Sequence, residues 1–80
     1  MIDELGDYNK LIEELAELEH KQWIDWTRAV SLSENISSTT VERWEKLWCP
    51  FSELPERQKN ADRSYAREVV KLLRKKGYLK

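Results

Sequence analysis

The 80-residue sequence predicts an all-α fold, a compact bundle of three main helices. Two long stretches repeat apolar residues at three- and four-residue intervals, and no stretch alternates in the manner of a strand. Breakers are sparse: the chain has two glycines and two prolines, and none falls between Asp7 and Asn35. A chain of this length is one domain, spanning residues 1–80. At this size folding buries only about 60 % of the surface that the unfolded chain exposes, so a second copy of the chain is an expected source of further burial.

The first helix is expected over Asp7 to Asn35, on the periodicity of Leu11, Ile12, Leu15, Ala16, Trp23, Ile24 and Val30. Its apolar stripe has an oddity. The line through positions 12, 16, 20, 23, 27 and 30 places His20 and Thr27 beside Trp23, where a simple core would carry leucine or valine. Such an interruption marks either a buried hydrogen bond or the lining of a pocket. The serine-rich segment Ser31 to Ser38 reads as a connection. Thr39 stands three residues before Glu42, the spacing of a capping box, so the second helix is expected from Thr40 to about Trp48, with Trp44 and Trp48 on one face. Pro50 disfavours helical dihedrals at Cys49, which makes Trp48-Cys49-Pro50-Phe51 an extended corner. Ser52 or Leu54 with Pro55 then opens the third helix, whose stripe is Ala61, Tyr65, Val69, Leu72 and Leu73. Gly77 after Lys75 and Lys76 closes it as a glycine C-cap.

Net charge is −1, but the charges are sorted along the chain: −6 over residues 1–20, −2 over 21–56 and +7 over 57–80. Two readings of this order remain open. The acidic first helix and the basic last helix can lie side by side, or part of the basic set can face phosphate. Binding to a nucleic-acid polymer is not expected, because the chain is acidic overall and its cations are not interleaved with the tryptophans. The single cysteine, Cys49, rules out an internal disulfide and a cysteine-rich zinc site, as suits a reducing cytoplasm. No stretch has the length and apolarity of a membrane span, and the acidic start Met1-Ile2-Asp3-Glu4-Leu5 is unlike a secretion signal, so a cytoplasmic protein without a membrane partner is expected.

The four tryptophans all lie between Trp23 and Trp48. This exceeds what a small core absorbs, so some indole faces are expected near the surface, available for stacking. The bases within reach of them are Arg28 and Arg43, together with Lys59 and Arg63 in the first turns of the third helix. His20, the single histidine, lacks ligand partners at metal spacing, so no metal is expected. It either bonds a loop carbonyl or lines a pocket. Asp62 is expected to pair with Arg63 or with a base of the first helix. Catalysis finds little support. Cys49 has no nearby base in the sequence, the paired carboxylates of the first helix read as a solvated face, and phosphate-cradling glycine loops are absent.

Residues spread along the chain resemble a known family. They are Leu15-Ala16-Glu17-x-x-His20-x-x-Trp23, Trp48-x-Pro50-Phe51-x-x-Leu54-Pro55-Glu56, Lys59-x-x-Asp62-Arg63, and Leu72-Leu73 ahead of Gly77-Tyr78. Their order and spacing are similar to the repeat domain named after the ryanodine receptor, over about residues 11–79, and to its single-copy prokaryotic or viral members. Between Val30 and Trp48 the chain departs from the receptor pattern, with a polar loop and the helix bearing Trp44 in place of a Gly-Trp-x-Tyr-Gly type element. The resemblance implies binding rather than catalysis. Receptor repeats occur as tandem pairs associated with an adenine-nucleotide site, in which the tryptophan at the position of Trp23 offers a stacking face. A single repeat is then expected to rebuild the pair as a homodimer, with ligand near the two-fold axis. The expected ligand is a nucleotide or nucleotide-derived messenger, such as an ADP-ribose derivative or a cyclic nucleotide. It would be bound or sequestered by His20, Trp23, Trp26, Arg28, Arg43, Trp44, Trp48, Lys59 and Arg63, with no cofactor. The alternative is a protein-interaction module anchored by exposed tryptophans.

Overall fold

A computed structural model of the chain describes residues 6–80; the acidic start lies outside them. Three α-helices make up the fold, α1 (Asn9–Ser33), α2 (Ser38–Glu45) and α3 (Glu56–Lys75), with short 3-10 turns at Gly6–Tyr8 and Phe51–Glu53 and no strand among the described residues. The molecule is elongated, 45 × 24 × 17 Å, because α1 and α3 form a long hairpin with the short α2 set against one end of it.

Helix α1 follows its stripe. Ile12, Ala16, His20 and Thr27 are the buried residues, so the polar interruption is part of the interior. Helix α1 begins two residues later than expected, after the 3-10 turn, and it also consumes the first serines of the anticipated loop. Ser31 fits the helix because its hydroxyl donates to the Arg28 carbonyl at 2.8 Å. The connection shortens to residues 34–37.

Helix α2 is shifted toward the N-terminus. Ser37 caps it in place of Thr39: its hydroxyl accepts the Thr40 amide at 3.3 Å and donates to the Thr40 hydroxyl at 2.8 Å. The helix stops at Glu45 and tightens into turn bonds from Leu47 N to Trp44 O and from Trp48 N to Glu45 O. Trp48 therefore lies beyond the helix, and the expected shared face of Trp44 and Trp48 does not form. The corner at Cys49-Pro50 is as expected, with Pro50 extended. Pro55 stands immediately ahead of α3, and its carbonyl accepts the amides of Gln58 and Lys59.

The buried face of α3 differs from the predicted stripe. Ala66 and Val70 are buried, while Ala61, Tyr65, Val69 and Leu72 are exposed and Leu73 is half-buried. The helix is turned by one residue, about 100°, from the expected orientation. Small side chains account for the choice. Ala16 on α1 and Ala66 on α3 belong to one cluster with Ile12 and Val70, and methyl-sized groups let the two helices approach more closely than a tyrosine ridge would.

Gly77 closes α3 as expected. At φ 85° it takes the left-handed conformation, and Tyr78 N to Leu73 O and Gly77 N to Arg74 O complete a Schellman motif. The end is tied back by the Tyr8 hydroxyl, which donates to the Lys80 carbonyl.

Candidate functional site

Beyond its aliphatic cluster, α1 faces the corner that follows α2, and two side-chain hydrogen bonds hold the corner to the helix. His20 Nε2 lies 2.9 Å from the carbonyl of Cys49. A carbonyl can only accept, so Nε2 carries the hydrogen. Thr27 Oγ1 accepts from Trp48 Nε1 at 2.9 Å and donates to the Trp23 carbonyl at 2.8 Å. Both polar interruptions of the stripe thus serve the same segment, residues 48–49. Of the two readings of His20, the loop-carbonyl bond is present, and the same ring also lines a cavity.

That cavity is an open groove of about 520 Å³ between one flank of α1 and the corner. Leu18, Ile24, Trp48, Pro50 and Phe51 supply apolar wall, and Glu14, Glu17, Lys21 and Arg28 follow one another along the helix at its edge. The volume lies within the range of small-molecule sites, about 300–1,000 Å³. The Arg28 guanidinium stands 5.4 Å from the centroid of the Trp48 ring, a cation–π contact on a wall of the groove. Charge is graded along α1: two carboxylates at the N-terminal end of the groove, two cations at the other.

On the other side of His20 lies a smaller cavity of about 130 Å³, lined by His20, Trp23, Leu47, Leu54, Gln58 and Asp62. Asp62 Oδ2 is 3.9 Å from His20 Nδ1. The pairing of Asp62 with a base of the first helix is therefore with His20, and Arg63 is directed elsewhere. Burial pushes the Asp62 carboxyl above its ordinary pKa; His20 opposes this and Glu19 reinforces it.

None of the four indoles is fully buried. Trp23 stacks on His20 at 6.0 Å and meets Trp44 edge-on at 6.4 Å, and Trp26, 59 % exposed, leans on Trp44 at 6.4 Å. Trp23, Trp26 and Trp44 form one aromatic cluster, separate from the groove wall at Trp48. Of the anticipated phosphate-binding bases, Arg28 lines the groove. Arg43 lies exposed in the last turn of α2. Lys59 sits 3.6 Å from Glu56, and Arg63 binds Glu13 at 2.6 Å, Glu56 at 3.1 Å and Asn60 at 2.9 Å. The hydrogen bond to Glu13 raises the Arg63 pKa further, and the one from Arg63 lowers that of Glu56. The cross-helix pair Arg63–Glu13 puts opposite charges of α1 and α3 side by side.

Residues that the sequence did not single out complete the groove. Lys21 and Leu18 lie beside the carboxylates read as a solvated face, while Ile24 belongs to the predicted apolar stripe and Phe51 to the predicted corner. The signal that marks them is the ridge Glu14-Leu18-Lys21-Arg28 at three-, four- and seven-residue steps, beside an aromatic-rich corner. Among the described residues, no group of three or more His, Cys, Asp or Glu side chains is placed to hold a metal, and no helix is long and apolar enough to cross a membrane.

Comparison with curated proteins and with solved structures gives no match. The family model of the RyR domain matches residues 5–79, nearly the whole chain, and the chain belongs to the RyR domain family.

Proposed function

We propose that this chain is a non-catalytic cytoplasmic module that binds or sequesters a nucleotide or nucleotide-derived signalling molecule, and that it works as a homodimer. The observation that carries the ligand reading is the groove beside Trp48. It joins an indole, a phenyl ring and aliphatic wall to the cations Lys21 and Arg28 in about 520 Å³. A planar base has apolar and aromatic surface to lie against, and phosphate has a guanidinium that offers paired donors. Stacking contributes about 1–3 kcal/mol per base, and each charge-assisted hydrogen bond about 1.5–3 kcal/mol, enough together for micromolar affinity in a preformed site. The adenine-nucleotide association of receptor repeats supports the same class of ligand, although here the groove is built on Trp48 and not on Trp23.

The test is a tryptophan-fluorescence titration with adenine nucleotides, ADP-ribose and cyclic nucleotides. A saturating quench is expected from at least one of them, with affinity falling about 10- to 100-fold in Arg28→Gln. Silence across the panel, or an Arg28→Gln variant that binds as well as the parent, overturns the reading. A second reading, a protein-interaction module, draws on Trp26 and on Leu32, which are 59 % and 89 % exposed. A folded protein that ignores every nucleotide would favour it.

A further inference from the structure

The corner runs along the groove in the direction opposite to α1, so the two ends of the groove have different walls. At one end Trp48 donates to Thr27 at 2.9 Å, and the Arg28 guanidinium lies 5.4 Å from the centroid of its ring. In the middle, His20 donates to the Cys49 carbonyl at 2.9 Å. At the other end Phe51 lies 6.4 Å from the His20 ring and 5.9 Å from the guanidinium of Arg63, which itself holds Glu13. Leu18, 60 % exposed, and Pro50 extend the apolar wall, and Glu14 and Glu17 flank the groove at this end. From Glu17 to Arg28 the helix rises about 16 Å.

The chemistry of the two ends is opposite. Arg28 occupies the indole face, so its donors are held ready for an anion while that face is closed to a base. The free platform is the one formed by Leu18, Pro50 and Phe51. Glu14 and Glu17 stand beside it, and among the described residues neither side chain has a hydrogen-bond or ion-pair partner, unlike their neighbour Glu13. Glu17 and Lys21 have the four-residue spacing at which a helix pairs these types, yet they stay apart. A phosphate at this end would meet two negative groups, whereas N–H groups would meet acceptors alone.

Resting on the reading of the groove as a nucleotide site, we infer that the ligand lies lengthwise in one direction, with phosphate at Lys21 and Arg28 and an exocyclic amino group of the base at Glu14 and Glu17. An amino group carries two N–H donors, one for each carboxylate. The two glutamates therefore select a base that bears an amine, and the base rests on Leu18, Pro50 and Phe51 while Trp48 keeps the guanidinium.

Calorimetric titration with AMP and with purine riboside 5′-monophosphate, which has hydrogen in place of the amino group, tests the inference. AMP should bind about tenfold more tightly, the difference made by hydrogen bonds to charged acceptors. Glu14→Ala/Glu17→Ala changes two exposed helical positions to the best helix former, so circular dichroism should be unchanged while the preference for AMP disappears. Arg28→Gln should weaken both ligands and leave the preference intact. Equal binding of the two monophosphates by the parent, or a preference that survives the double alanine variant, overturns the inference and leaves the nucleotide reading standing. A groove that binds neither monophosphate overturns it as well, and the fluorescence panel then decides whether the nucleotide reading falls with it.

Discussion

The aliphatic half of the α1–α3 hairpin and the half that carries the corner are closed by different means. In the first, Ile12 and Ala16 meet Ala66 and Val70 with no polar group in the cluster, and the helices come together through shape and the removal of apolar surface from water. In the second, α1 offers His20 and Thr27 to residues 48–49, and each makes a hydrogen bond to the corner. Close apolar packing leaves no space. Polar pins fix a segment at two points and leave an opening between, and the groove lies there.

The contrast makes the aliphatic half the more costly to damage. Ile12→Ala removes three methyl-sized groups from a side chain that is 3 % exposed, next to helices that cannot collapse without losing the rest of their contacts. The expected loss is about 2–4 kcal/mol, against a total stability on the order of 4–12 kcal/mol for a domain of this length. Urea denaturation followed by circular dichroism measures it. A loss under about 1 kcal/mol would mean that the aliphatic cluster is not what holds the hairpin.

Thr27→Val probes the other half with almost no change of volume. The hydroxyl disappears and Trp48 Nε1 loses its acceptor, for an expected cost of about 1–3 kcal/mol, most of it the desolvation of an unpaired donor. Freed from the pin, Trp48 should become more accessible to an external quencher, a change that Ile12→Ala should not produce while folded. Thr27→Ser should retain most of the stability. If Thr27→Val is as stable as the parent and quenches like it, hydrogen bonding is not what shapes this half.

The same contrast explains what could be read from the residues. Helix α1 was legible because its stripe is written in large apolar residues, and His20 and Thr27 were conspicuous as exceptions within it. The Pro50 corner and the Gly77 cap were legible because backbone chemistry at those residues leaves few alternatives. The buried face of α3 was not, since Ala66 looks weak beside Tyr65, Val69 and Leu72. Only the close approach of Ala16 makes Ala66 and Val70 the better surface to bury, and that is a property of the pair of helices. The groove was half legible for a related reason. Arg28 and Trp48 were candidates by type, but Lys21 and Ile24 acquire a role only once α2 ends at Glu45 and turns the corner back along α1.

The smallest effect is expected where the pinned half carries a charge that folding disfavours. Asp62, with its side chain 18 % exposed, sits 3.9 Å from His20, and burial raises its pKa. The raised value means that the folded chain holds more protons than the unfolded one between the ordinary carboxylate value and the shifted one. Stability therefore falls as pH rises through that interval, the reverse of an ion-paired acid, and the penalty is complete above it. Asp62→Asn removes the penalty and keeps a polar side chain beside His20. It should raise stability at neutral pH by about 0.5 kcal/mol, or ~2–4 °C in melting temperature, and the gain should vanish once the medium is acidic enough to protonate Asp62 in both states. Attraction to His20 works against the burial, which is why the effect is small. A variant less stable than the parent at neutral pH would show that the attraction outweighs the burial, and would make the Asp62–His20 pair a third pin between the helices.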